Sequence, residues 1–209
     1  YGHFERGLRV QVRGFEPVRT VYGVGPGTND PYVILRCDFD GDNHAHISSE
    51  YYQTKHTPSE QVDILAEHVG QSGAECLVDN AYPGLIEDMR RADINAIPCK
   101  KGPDSIIRGI GCVSARLNPA NVRLTIDPGC VKTIAEFETY EWAKTPGGLK
   151  DKPADSNNHA MDALRYLLER VDGYGGGFMV APDSAADAEE SEPKTMDEMR
   201  EADPNWGWD

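Results

Sequence analysis

The chain has 209 residues, 39% of them hydrophobic, with 35 acidic and 21 basic side chains and a formal net charge of −14. That length suffices for one domain with a real core, and no apolar run reaches the roughly 20 residues that cross a membrane. The cysteines Cys37, Cys76, Cys99, Cys112 and Cys130 are odd in number and form no CxxC pair. They read as buried free thiols of a reducing compartment, not as a zinc knot or a disulfide framework.

The charge is uneven. Residues 171–209 carry 11 acidic and 2 basic side chains, a net of −9, so the body is only mildly acidic. This Gly-, Ala- and acid-rich segment cannot bury much surface and reads as a disordered tail. Its terminal NWGWD is either a bland end or a docking peptide. The chain opens on YGHFERGLRVQV without an initiator Met and reads as a piece of a longer protein.

In chain order, residues 1–19 read as one or two short lead-in strands. TVYGVGPG is a strand ending in a Gly-Pro-Gly turn. PYVILRCDF and HAHISSEYY are β-rich runs around DFDGDN, so they predict a hairpin. Asp38, Asp40 and Asp42 resemble the opening of a calcium loop, but the later bidentate Glu is missing, which leaves a plain turn. TPSEQVDILAEHVGQS is a helix with Thr57 as cap, Pro58 at its first position and Glu60 completing a capping box.

AECLVDN follows as a short buried strand, YPGLIEDMRRADI as a helix and NAIPCK as another strand. GPDSIIRGIGCVSARL is a helix, NVRLTID a strand, and VKTIAEFETYEWAK a helix or a helix running into a strand. The last body helix, in SNNHAMDALRY, is expected to start at the N-cap Ser156 and run to about Arg170. Met161, Leu164, Leu167, Leu168 and Val171 share one arc, and His159, Asp162 and Tyr166 another. Ala160 and Ala163 would let another backbone come close. Three consecutive strands followed by alternating helices and strands predict a mixed α/β sheet with helices on its faces.

Asp79 ends an apolar strand just before a turn and a helix, where open α/β sheets place their sites. It is either a cap or a ligand. Asp162 with His159 can likewise be a self-satisfied pair. Together, these carboxylates and the imidazole suggest a divalent-cation site, since clustered carboxylates repel unless a cation holds them. Oxygen donors favour Mg²⁺ or Mn²⁺ over zinc. Two such ions could activate a water and stabilise the leaving oxygen of a phosphodiester. Lys100 and Lys101, with Ser105 opening a helix, gather amines and free backbone N–H groups suited to phosphate; a solvated loop is the plain alternative. Arg90 and Arg91 read as a wet helix face.

The order of motifs resembles the C-terminal nuclease domain of the large terminase subunit of tailed bacteriophages. The resemblance is carried by YGVGPGTNDPYVIL, ISSEYY, CLVDNAYPGLIEDMR, CKKGPDSIIRGI, EFETYEW and KPADSNNHAMDALRY, across about residues 20–168. It implies an α/β, RNase H-like fold over residues 20–170: a mixed central sheet with helices on both faces. It implies an endonuclease that uses two Mg²⁺ or Mn²⁺ ions to cut concatemeric viral double-stranded DNA. The implied partners are the portal protein, the small terminase subunit and an N-terminal ATPase domain of the same polypeptide, at work in the host cell cytoplasm. No GxxxxGK[ST] loop is present in this chain.

Carried over position by position, Asp79 matches the second-motif acid, Asp162 the third-motif acid and His159 the histidine three residues before it. The first-motif acid is missing. Gly23-Val24-Gly25-Pro26-Gly27 has Gly25 where the family places Asp. Either Asp30 from the following turn takes its part, or metal binding is weakened, or the natural residue at this position has been altered. Two further readings stand beside the nuclease: a non-cutting assembly module with a disabled site, and a junction resolvase on the same fold. Tyr140 and Trp142, and the lack of a fourth clear acid, speak against the resolvase. The acidic charge speaks against tight nonspecific binding of DNA by this chain alone.

Overall fold

The structure is a computed structural model that describes residues 4–145, 148–153 and 158–173. The expected acidic tail lies outside the described residues beyond Gly173. The lead-in forms one helical turn, α1 (Arg6–Arg9), in place of the expected strands. Leu8 and Arg9 donate to the Glu5 carbonyl, and Val10 alone makes an isolated bridge, to Ile126. The fully buried Arg9 donates to the Leu117 carbonyl, which anchors this turn to the helix end behind it.

Next come β1 (Arg19–Gly25), β2 (Tyr32–Phe39) and β3 (Ala45–Gln53), an antiparallel meander. The DFDGDN turn is a plain turn. Asp40 accepts the amides of Asp42 and His44, while Asp38 points away into a buried ion network. Helix α2 (Pro58–Val69) begins with the expected Thr57–Glu60 capping box. Then follow β4 (Glu75–Val78), α3 (Pro83–Arg91), β5 (Ala96–Pro98), α4 (Ser105–Arg116), β6 (Leu124–Ile126) and α5 (Val131–Thr139). A separate hairpin of β7 (Trp142–Thr145) and β8 (Gly148–Pro153) precedes α6 (His159–Gly173). The α5 segment thus runs from helix into strand, and β8 has no counterpart among the expected elements.

The main sheet has the order β5-β4-β1-β2-β3-β6, with β4 parallel to β1, β5 to β4 and β6 to β3. Side chains of a strand alternate between faces, and β1 is covered on both. Val21 belongs to the core beneath α4, α5 and α6, together with Leu35, Leu77, Val113, Ile134, Leu164 and Leu168. Tyr22 and Val24 belong to the core beneath α2 and α3, with Leu65, Cys76 and Met89. All five cysteines are free; Cys37, Cys76, Cys99 and Cys130 are buried, and burial raises the thiols of Cys37, Cys76 and Cys130 to about 12.

Two features set the position of α6. The first is Gly23: a Cβ built there would lie 2.3 Å from the Ala163 carbonyl oxygen, so helix backbone rests directly on strand backbone. Ala160 and Ala163 are fully buried at this crossing. The second is Glu136 on α5, whose carboxylate accepts the amides of Ala160 (2.8 Å) and Met161 (3.1 Å). It satisfies the unpaired first-turn donors, which is the work of an N-cap. The described helix begins at His159, with first-turn amides served by Glu136 of α5; Ser156, the expected N-cap, lies outside the described residues. Burial pushes the Glu136 carboxyl upward, against the pull of Tyr52 and the two amides.

Candidate metal and nucleic-acid site

The site is built where β1 and β4 end side by side. Val24 pairs with Val78, and the Asp79 amide donates to the Val24 carbonyl (3.3 Å), so Gly25 and Asp79 are neighbours on adjacent parallel strands. Crossing above them, α6 brings in its first two turns. The His159 carbonyl oxygen is 3.7 Å from a Cβ built on Gly25, which places the start of α6 at this strand end.

Asp79 is held on three sides. Its Oδ1 accepts the Ala81 amide (2.9 Å), an Asx turn that starts the link to α3. The same oxygen is 2.6 Å from the Lys101 ammonium nitrogen. Its Oδ2 accepts the Tyr166 hydroxyl (3.0 Å). Asp79 thus closes the turn that leads to α3 and pairs with a basic side chain, while the N-cap position of α3 is Tyr82 and receives no side-chain cap.

Asp162 lies one turn before Tyr166 and forms an ion pair with Arg165. The pair is coupled: burial alone would lower the Arg165 guanidinium, and the Asp162 carboxylate raises it. Tyr166 stands between the two acids. Burial first, then the charges of Asp162 and Asp79, push its hydroxyl well above the ordinary tyrosine range. Its ring also has the Lys101 ammonium 5.5 Å from its centroid and the Arg165 guanidinium at 5.8 Å.

The basic elements share this cleft. Lys100, Lys101 and Ser105 line it together with Asp162, Arg165 and Tyr166, and it opens past Gly102 towards Arg108. Ser105 is the first residue of α4. His159 opens α6, half-buried, with its ring 6.3 Å from that of Tyr52. Of the seven candidate residues, Asp79, Asp162, Lys100, Lys101 and Ser105 come together around Tyr166, and His159 flanks Gly25.

Asp30 is not brought to them by any contact. It is exposed, on a loop tied towards α2 by the Gln61 amide on the Gly27 carbonyl (3.1 Å) and by Lys55 on Thr28. Among the described residues, no three His, Cys, Asp or Glu side chains form a group that could hold a metal. Arg90 is exposed and its Nε donates to the Ala96 carbonyl, and Arg91 pairs with Asp88, so the wet-face reading of both holds.

Sequence reasoning missed three participants. Arg165 was legible only as the residue after an apolar Leu, yet its side chain turns back three positions to Asp162, as helix geometry allows. Tyr166 was placed on the right arc, but its bond to Asp79 spans 87 residues and has no local signal. Glu136 acts from a different helix.

The glycines separate two causes. Gly23 is demanded by the α6 backbone. At Gly25 a Cβ would meet nothing nearer than 3.7 Å, an ordinary contact, and the backbone there is not left-handed. Neither space nor conformation requires glycine at this position, where the resemblance leads one to expect a carboxylate.

A mixed sheet with a helix laid across its parallel strands, and acids at the strand end and on that helix, is the architecture of an RNase H-like domain. The terminase RNase H-like domain family matches residues 41–170, and the chain belongs to it. It is 26% identical over 173 residues to the terminase large subunit of Escherichia phage T5, covering 79% of this chain and 38% of that protein. The chain therefore spans well under half of that relative's length. Its fold resembles the large terminase of a thermophilic bacteriophage, with a TM-score of 0.72 and 20% identity, over 82% of this chain and 44% of that one. It also resembles the nuclease domain of the large terminase of bacteriophage SPP1 with bound Mn, with a TM-score of 0.60 and 24% identity, over 78% and 96% of the two chains.

Proposed function

We propose that this chain is the metal-dependent endonuclease domain of a phage large terminase, cutting concatemeric viral double-stranded DNA during genome packaging in the host cell cytoplasm. The supporting observation is a cleft lined by Asp162, Lys100, Lys101, Ser105 and Tyr166, two of whose side chains, Lys101 and Tyr166, bind Asp79. In the whole protein an ATPase domain would precede it, and portal and small terminase subunit would be its partners.

The donor set suits a hard divalent cation. Two carboxylates offer oxygen donors and His159 a ring nitrogen, and the Lys101 ammonium already stands on Asp79 as a positive charge would. Asp79, Asp162 and His159 would hold Mg²⁺ or Mn²⁺; the relative with bound Mn supports this choice. When bound, the ion lowers the pKa of a water and offsets charge on the scissile phosphate. Lys100, Lys101 and the start of α4 at Ser105 orient the DNA backbone. Arg165 holds Asp162 in place. Two ions are the full complement we propose for such a donor set. With no carboxylate at Gly25, one anchor is missing, and this chain holds its ions loosely.

Plasmid nicking with Mn²⁺ tests the reading on this chain, Asp162→Asn and Gly25→Asp. Cutting by the chain and a loss of 100-fold or more in Asp162→Asn would support a working site. An inert chain with an active Gly25→Asp would support the nuclease family role and a disabled form. If no form cuts, the domain is a non-cutting assembly module.

A further inference from the structure

The donors around Asp79 fall into two kinds. The Ala81 amide and the Tyr166 hydroxyl belong to the fold: one is backbone two residues on, the other is a side chain of α6, half-buried against the Asp79 strand end. The third donor, Lys101, comes from the link between β5 and α4, and its side chain is 40% exposed. Asp79 itself is only 17% exposed. A carboxylate this enclosed carries a counter-ion, and a flexible four-carbon stem on an exposed link can leave without disturbing the core.

We infer that Lys101 is an exchangeable counter-ion of Asp79: it occupies the Oδ1 site until a divalent cation takes its place, while Tyr166 holds Oδ2 and keeps the carboxylate aimed. This rests on the reading of Asp79 as a metal ligand. Displaced from Asp79, the ammonium is released into the cleft that also contains Lys100 and Ser105, where a DNA phosphate is its natural next partner. Metal and DNA then assist each other, because each removes the competitor of the other. Lys101 is thus a coupling residue between the two ligands, and Tyr166 is a positioning residue.

The two residues have opposite signatures. Lys101→Met removes the competitor and tightens Mn²⁺ binding, by roughly two- to fivefold, the worth of a part-exposed ion pair. Tyr166→Phe keeps the ring and its packing but frees Oδ2, and weakens Mn²⁺ binding by a similar factor. In the parent chain, Ca²⁺ tightens the binding of a duplex oligonucleotide at constant ionic strength. In Lys101→Met that coupling is lost, since linkage between two ligands is reciprocal.

The experiment is Mn²⁺ titration by electron paramagnetic resonance on the full chain, Lys101→Met, Tyr166→Phe and Asp79→Asn, with thermal unfolding to verify folding and DNA anisotropy with and without Ca²⁺. Opposite shifts in Lys101→Met and Tyr166→Phe, with loss of binding in Asp79→Asn, are the expected result. If Asp79→Asn weakens Mn²⁺ binding while the other two leave it unchanged, the exchange is wrong and the metal reading survives. If Asp79→Asn binds Mn²⁺ as the parent does, or no form binds it, the metal reading falls and the exchange with it.

Discussion

Asp38 and Asp79 sit at opposite ends of the same sheet and are bonded almost alike. Asp38, paired in register with Thr20 at the start of β1, accepts the Thr20 hydroxyl (2.6 Å) and ion-pairs with Arg13 and Arg36. Asp79, beyond the end of β4, accepts the Tyr166 hydroxyl and ion-pairs with Lys101. The difference is closure. The Asp38 side chain is fully buried and its cations are two guanidiniums, which lock carboxylates in fixed geometry. The Asp79 side chain is 17% exposed and its cation is a single, part-exposed ammonium. Similar chemistry is closed off as a structural clamp at one end and left part-exposed at the other, and on our proposal what separates them is the freedom of the partner to leave.

The comparison extends to the glycines of β1. Gly23→Ala would drive a methyl into the Ala163 backbone, which cannot move aside as a side chain can. We expect a loss of about 3 kcal/mol in urea unfolding. Gly25→Ala, two residues on and at the open end, should stay within about 0.5 kcal/mol of the parent. Equal losses would mean that both strand ends are equally filled.

Asp38→Asn should cost about 2 kcal/mol, since it leaves Arg13 and Arg36 without their counter-charge, and should leave Mn²⁺ binding untouched. Asp79→Asn should do the reverse, costing less than about 1 kcal/mol of stability. pH sharpens the contrast. Burial alone would raise the Asp38 carboxyl, but hydrogen bonds from Thr20, Ser48 and Arg36 outweigh it and hold it below the usual range. A depressed carboxyl contributes stability above its unfolded value of 3.8 and loses it as pH falls through the folded value. Asp38→Asn should therefore flatten the acid limb of the stability curve.

Glu136 gives a small effect with the opposite dependence on pH. Its carboxyl is raised by burial, so the stability linked to its protonated form is present below the ordinary value of 4.5 and is lost as pH rises through the folded value. Glu136→Gln should change stability by less than about 1 kcal/mol near neutrality and should remove that decline, as seen in thermal unfolding across pH 4–8. An unchanged profile would mean that the amides of α6 already balance the buried charge.

Much was legible from local rules. The Thr57–Glu60 box, the hairpin around DFDGDN and the apolar arc of α6 each depend on residues within a few positions of one another, and each formed as expected. The strand-end place of Asp79 and the small-residue face of α6 were also readable, since period and propensity set which way a side chain points. Residues 1–19 misled because their alternation is weak and a buried arginine, not a ladder, anchors them.

The amino-acid sequence by itself determined the capping box of α2, the β2–β3 hairpin, the apolar arc of α6, the place of Asp79 at a strand end and of Asp162 on the other arc of α6, and the absence of an acid at Gly25. Those are properties of residue type and short-range periodicity. Only the tertiary structure decided which groups answer those acids: Lys101 and Tyr166 on Asp79, Arg165 on Asp162, and Glu136 at the start of α6. Bonds such as Tyr166 to Asp79 join residues 87 apart, and their partners are chosen by the packing of α6 on β1, which no local pattern encodes.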